Sequence, residues 1–201
     1  MIHVSQDYNK YAYRSFNDGF KGDIEKNIYE TSVKDFDCKI HRPQRAGVIM
    51  YTIINDEVLF GMGLDTRTHD ITDFGGGVSY KIDKNAIIGA LREFREETLE
   101  IFNKINMDDI MNSKVIYDEN NLIIFIYITY DPVKICYKFN EKYTNIIENN
   151  NNLFKHKNKP EVCGIIWLNI SEYNYSIKTK GIMFTRVKKF LEKIDDITKI
   201  L

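Results

Sequence analysis

Two stretches of β-branched and aromatic residues, 46–54 (AGVIMYTII) and 57–62 (EVLFGM), stand on either side of the polar pair Asn55-Asp56. That is the pattern of a β-hairpin around a two-residue turn. Farther along the rhythm changes: Ile87, Ile88, Leu91, Phe94 and Leu99 recur at helical spacing and predict an amphipathic helix with one buried stripe. Residues 114–117, 122–129 and 162–168 read as further strands, the middle one apolar enough for the centre of a sheet. Asn169-Ile170-Ser171-Glu172 then marks a step from strand to helix, and Ile182, Phe184, Val187, Phe190, Leu191 and Ile194 give a helical face within 181–194. Strands and helices in this order predict an α/β protein, an α/β/α sandwich around a mixed β-sheet. Residues 1–44 are rich in Tyr, Asp and Lys without a strong period and are read as an N-terminal extension packed on a core domain of residues 45–201. The polar run 149–159 reads as an exposed loop.

Length and composition fit one soluble domain with elaborations, since 201 residues with 43% hydrophobic can bury a substantial core. No apolar run approaches the roughly 20 residues of a membrane span, and the opening residues MIHVSQD lack the regions of a signal peptide. A cytoplasmic protein with no membrane partner is expected. The net charge of −1 gives no global attraction to nucleic acid. Cys38, Cys136 and Cys163 are odd in number, widely spaced and without a paired zinc motif, so they are read as reduced structural thiols. His3, His41, His69 and His156 make no spaced ligand set.

The chemistry is concentrated in Arg92-Glu93-Phe94-Arg95-Glu96-Glu97, shortly after Gly75-Gly76-Gly77. On a helix that turns about 100° per residue, Glu93 and Glu97 lie about 40° apart and Glu96 about 60° to the other side of Glu93, so all three can converge on one point. A Glu-rich helix face is ordinarily just solvated. Three clustered carboxylates opposite an apolar stripe also suit a hard divalent ion, which typically joins such groups to substrate phosphates.

A glycine-led loop followed by a helix carrying Arg-Glu-apolar-any-Glu-Glu resembles the box of the Nudix hydrolases, with Gly77 as the leading glycine and Arg92, Glu93, Phe94, Glu96 and Glu97 on the helix. The resemblance covers about residues 45–194, and only the box is specific. Two positions depart from it. The expected box acid falls on Lys84 when counted back from Arg92 and on Asp83 when counted from Gly77, which we read as a one-residue insertion with Asp83 as the acidic substitute or as the helix N-cap. Leu99 stands where the box has a helix-ending glycine, so the helix is expected to run on toward Phe102.

The resemblance implies Mg²⁺ or Mn²⁺ held by Glu93, Glu96 and Glu97, with Glu96 or Glu161 as the base for the attacking water and Arg92 orienting a carboxylate. Gly76, Gly77 and Arg45, with Arg42 beside it, are the expected contacts to the substrate. The activity implied is hydrolysis of a diphosphate linkage in a nucleotide or nucleoside-diphosphate-linked substrate. Candidates include nucleotide sugars, ADP-ribose, dinucleoside polyphosphates, oxidised nucleoside triphosphates, diphosphoinositol phosphates and capped RNA. Lys188, Lys189 and Lys193 with the Lys-rich loop put mRNA decapping first among the subclasses to test. Trp167 is read as a base-stacking residue or as core. The alternative is a catalytically inactive Nudix-fold module that binds nucleotide as a sensor, and homodimerisation is common in the family.

Overall fold

The computed structural model describes residues 28–102, 105, 107–149 and 160–201. The predicted hairpin is β2 (Arg45–Ile54) and β3 (Glu57–Asp65), closed by Asn55 and Asp56 with φ of 50° and 63°. Left-handed backbone at both turn residues is the type I′ geometry that matches the twist of the flanking strands.

β2 is the organising strand. One edge runs parallel to β7 (Asn121–Tyr127), from Arg45 opposite Asn121 to Tyr51 opposite Tyr127. Its other edge is shared: β5 (Phe74–Gly77) pairs with Arg45–Val48, and β3 pairs with Met50–Ile54, both antiparallel. Beyond β3 lie β8 (Val162–Asn169) and the two-residue β4 (Ile71–Thr72); beyond β7 lie β6 (Lys114–Tyr117) and β1 (Tyr29–Ser32). The result is an eight-stranded mixed sheet.

Both faces of this sheet are covered, which is why β7 is apolar from Leu122 to Ile126. Leu122, Ile124 and Ile126 of β7 pack with Ala46, Val48 and Met50 of β2 against α1 (Ala86–Glu97), α2 (Met107–Asn112) and α3 (Pro132–Asn149). Ile123 and Phe125 of β7 join Ile49 on the opposite face, under α4 (Ile170–Lys178) and α5 (Thr185–Leu191). The expected α/β/α sandwich is therefore present, with a separate core on each side of the sheet. Among the described residues no helix is long and apolar enough to cross a membrane.

Three details differ from the sequence expectations. Residues 28–44 belong to the sheet and its core rather than lying on them: β1 pairs with β6, and Val33 and Phe36 are buried on the α1 side. Residues 1–27 of the expected extension, and residues 150–159 of the expected loop, lie outside the described residues. The 18-residue α3 was not anticipated; Asp131 caps its start by accepting the Val133 N–H, and it buries a narrow stripe of Ile135 and Phe139. The last helix is shorter than 181–194, because Gly181 (φ 77°) and the bridge of Met183 to Ile71 hold the preceding stretch extended.

Under α4, Tyr173 is 1% exposed, packs on the Phe60 ring at 4.5 Å between centroids, and has no hydrogen-bond partner for its hydroxyl among the described residues. An unsatisfied buried hydroxyl costs about 1–3 kcal/mol, whereas a phenyl ring of the same shape does not. Tyr173→Phe is therefore expected to stabilise the protein by about 1 kcal/mol. A denaturant midpoint equal to or below that of the parent would refute this.

Candidate functional site

The site forms where the glycine strand β5 meets the acid-bearing face of α1. Asn85 is the helix N-cap and accepts the Ile88 N–H at 2.9 Å. Asp83 is thus not the cap. Its side chain is 1% exposed and takes the Arg92 fork, 2.7 Å from Nε and 3.1 Å from Nη2, while also accepting the Ser79 N–H. The charge-assisted pair holds the Asp83 carboxyl below the usual carboxylate range. The extra residue between Asp83 and the cap is Lys84, which adopts φ 67° and so absorbs the insertion locally.

Nor does the helix run on toward Phe102. It ends at Glu97 with Thr98 as C-cap, followed by Leu99 and Glu100 at φ 53° and 58°. The Glu100 N–H bonds to the Arg95 carbonyl at 2.7 Å and the Leu99 N–H to the Glu96 carbonyl at 3.1 Å. These are the paired bonds of a Schellman ending, made here without its customary glycine. Lys142 of α3 donates to the Leu99 carbonyl at 2.8 Å, and Leu99 packs against the α1-side core, which together hold the turn against the strain. The Glu100 side chain is exposed, with a 3.9 Å contact to Arg95. Glu100→Gly should relieve left-handed strain and raise stability by about 1 kcal/mol, read as an increase in Tm; an unchanged or lower Tm would count against it.

The three helix acids separate. The Glu93 carboxylate lies over Gly76, where an added Cβ would stand 2.6 Å from it, and Arg92 Nη1 reaches Glu93 Oε1 at 2.9 Å. Burial nonetheless raises the Glu93 carboxyl above its ordinary value, more than Arg92 lowers it. Glu97 is buried, at 8% exposure. Its Oε2 is buried and has no hydrogen-bond partner among the described residues. Desolvation, followed by the charges of Asp73, Glu93 and Glu161, pushes the Glu97 carboxyl up to about 9. Glu96 is 61% exposed and turns outward to Arg92 Nη1 at 3.3 Å. Among the described residues no three His, Cys, Asp or Glu side chains form a closed metal-holding group.

Glu161 follows Pro160 at the entrance to β8, with an exposed side chain whose charge acts on both Glu93 and Glu97. Its backbone is pinned, since the Thr66 N–H donates to the Glu161 carbonyl at 2.8 Å and the Thr66 hydroxyl to the Pro160 carbonyl at 2.6 Å.

Arg45 is not available to a substrate phosphate. It is 7% exposed, and its guanidinium is spent on Asp73, at 2.8 and 2.5 Å, and on the Gly75 carbonyl at 3.2 Å. Asp73, fully buried, escaped the sequence reading; a lone acid directly before Phe74-Gly75-Gly76-Gly77 was the only signal. Gly77 is exposed, open around its Cα, and its carbonyl accepts from Arg92 at 3.2 Å. Arg42 lies over the Tyr80 ring, 4.4 Å from its centroid, on the rim of the glycine loop.

Of the lysines invoked for RNA, two are engaged within the fold, and those of the Lys-rich loop lie outside the described residues. Lys188 bonds the Thr179 carbonyl and Glu192, and Lys193 pairs with Asp118 at 2.5 Å. Trp167 packs against the α1-side core, as one of its two readings had it. The three cysteines are unpaired, and burial raises each thiol, which leaves none activated as a nucleophile.

These residues fit a divalent cation in one specific respect. A buried carboxylate with a free oxygen, flanked by further acids, is costly by itself and becomes favourable when a cation neutralises the group.

No known family description matches the sequence, and no curated protein matches it. Among solved structures the chain is similar to the NUDIX domain of Shewanella oneidensis NrtR complexed with ADP ribose, with 9% identity, 79% of this chain and 91% of that one covered, and a TM-score of 0.42. It is also similar to a C. elegans Ap4A hydrolase, in a binary complex (16% identity, 74% and 92% covered, TM-score 0.39) and alone (14%, 76% and 95%, TM-score 0.39). At these identities and scores the likenesses carry no weight on chemistry, which has to come from this chain's own residues.

Proposed function

We propose that this chain is a Nudix-type hydrolase that uses Mg²⁺ or Mn²⁺ to cleave a diphosphate linkage in a nucleotide-linked substrate. The observation that carries the reading is Glu97: a buried helix carboxylate whose Oε2 has no hydrogen-bond partner among the described residues, beside Glu93 and within the field of Glu161. Glu93 and Glu97 would hold the metal. When bound, the cation supplies charge neutralisation of the diphosphate and a more acidic water.

The protein's side chains do the rest. Arg92 ties the Asp83 loop to α1 and steadies Glu93 and Glu96, so the acids keep their spacing. Glu161, rather than the outward-facing Glu96, takes the proton of the attacking water, because its charge reaches both inner acids. Gly76 leaves room for the Glu93 carboxylate, and the open backbone at Gly77 lets a phosphate approach the loop. With Lys188 and Lys193 engaged within the fold, a small nucleotide-linked diphosphate is a better substrate than capped RNA.

The test is product release from a panel containing ADP-ribose, a dinucleoside tetraphosphate, a nucleotide sugar and cap-labelled RNA, with Mg²⁺ and with Mn²⁺. Release from a small nucleotide that falls by about 10²–10⁴ in Glu161→Gln and by less in Glu96→Gln supports both the activity and the base. A larger loss in Glu96→Gln moves the base to the helix. Tight nucleotide binding with no release from any compound would leave the sensor as the function.

A further inference from the structure

We infer that the cavity between α3 and the loop following α1 is a second ligand site, which takes a phosphomonoester carrying an aromatic ring, such as a nucleoside monophosphate. Its volume is about 320 Å³, at the small end of the range for sites that enclose a small molecule. Ile101, Phe102 and Ile135 make its apolar floor, and Tyr130, Lys134 and Lys138 its polar wall. Phe102 and Ile135 are buried, and Phe102 stacks on Phe94 of α1 at 5.3 Å between ring centroids. Glu93, Glu96, Glu97 and Glu161 do not line the cavity, so it is separate from the acid cluster and the inference does not depend on the hydrolase reading.

The two lysines point to the charge of the ligand. Lys134, Lys138 and Lys142 follow one another at four-residue spacing on one face of α3. Lys142 shows where that face looks, because its Nζ donates to the Leu99 carbonyl at 2.8 Å, in the loop that also supplies Ile101 and Phe102. The side chains of Lys134 and Lys138 have neither an ion pair nor a hydrogen bond among the described residues. Asp131, which also lines the cavity, is engaged in capping α3 by accepting the Val133 N–H at 2.8 Å. Lysines on a helix ordinarily face open water. These two, one turn apart, share a cavity with an apolar floor, and like charges at that spacing repel. A phosphate dianion satisfies both ammonium groups at once through charge-assisted contacts, which a single carboxylate does less fully. The apolar floor and the Tyr130 ring then suit an aromatic ring rather than a second charged group.

The experiment is titration calorimetry of the full chain in EDTA with AMP, adenosine and inorganic phosphate as separate probes. The proteins compared are the parent, Lys134→Met with Lys138→Met, Lys134→Arg with Lys138→Arg, and Glu161→Gln, each with its Tm. Both lysines are exposed, so the paired variants are expected to fold. The expected result is AMP binding by the parent, weakened at least about 10-fold in the methionine pair and kept in the arginine pair and in Glu161→Gln. Adenosine and phosphate alone should each bind more weakly than AMP, because each fills only part of the cavity. No AMP binding by the parent, or equal binding by the methionine pair, overturns the inference. Phosphate bound as tightly as AMP would reduce the site to a surface anion contact and overturns it too, as does AMP binding lost in Glu161→Gln, which would put the nucleotide in the acid cluster. The hydrolase reading is judged separately, by product release with metal.

Discussion

Glu97→Gln is expected to make the metal-free protein more stable and the enzyme inactive. In the folded state the Glu97 carboxyl sits at about 9 against an ordinary value of 4.5, with desolvation as the main cause and Asp73, Glu93 and Glu161 adding to it. Between those two values the unfolded chain has already released a proton that the folded chain retains. Stability therefore falls as pH rises through this window, by up to about 1.4 kcal/mol per unit, and is fully present only below the unfolded value. At pH 7 the penalty is on the order of 3 kcal/mol. Glutamine keeps the shape but has no carboxyl proton to lose. Urea melts in EDTA at pH 5, 7 and 8.5 should show the parent weakening with pH and the variant staying nearly flat, so the two diverge toward the alkaline end. Turnover should fall on the order of 10³-fold with the lost metal ligand. Parallel pH profiles for the two proteins would sink the assignment of Glu97 as a protonated buried acid.

Gly76→Ala should leave stability almost unchanged and remove most of the activity. The new Cβ would stand 2.6 Å from the Glu93 carboxyl carbon and one of its oxygens, which are the mobile end of a side chain and not backbone. Glu93 can swing away toward Arg92 at little cost to the fold, but not without vacating its place beside Glu97. Displacement of a reacting group by about 1 Å can cost about 10² in rate. The measurement is kcat alongside Tm for the alanine variant: a Tm within about 2 °C of the parent, with kcat down by about two orders of magnitude, is the expected pair. Full activity would mean that Glu93 does not work from the position it holds over Gly76.

The features legible in the sequence are those fixed by neighbouring residues. Asn55-Asp56 announces a type I′ hairpin because few residues tolerate positive φ twice in succession, and Asn169 with Glu172 closes a capping box at the start of α4. The acid helix is legible because its apolar stripe and its carboxylates occupy opposite faces. Features set by distant partners were not. Arg45 resembles a phosphate contact until the fold brings Asp73 against it, and three glutamates with equal angular claims on one point divide according to what surrounds each: a glycine slot for Glu93, a buried site for Glu97, solvent for Glu96. Leu99 misled because its left-handed backbone depends on Lys142 from α3, a helix whose buried stripe of Ile135 and Phe139 is too sparse to show in an otherwise polar run.

The parallel pairing of β2 with β7 has a kinetic consequence. The early hairpin β2–β3 closes over two residues, but Arg45 meets Asn121 only after the chain has completed β5, α1 and β6, and Glu161 arrives later still. Contacts between distant parts of a chain are slow to form, because the loop they close must be ordered first. The acid cluster is thus expected to be completed after the hairpin, once β7 and β8 have joined the sheet. A divalent cation that binds it should slow unfolding, by occupying a site the transition state has not yet built, and leave the refolding rate nearly untouched.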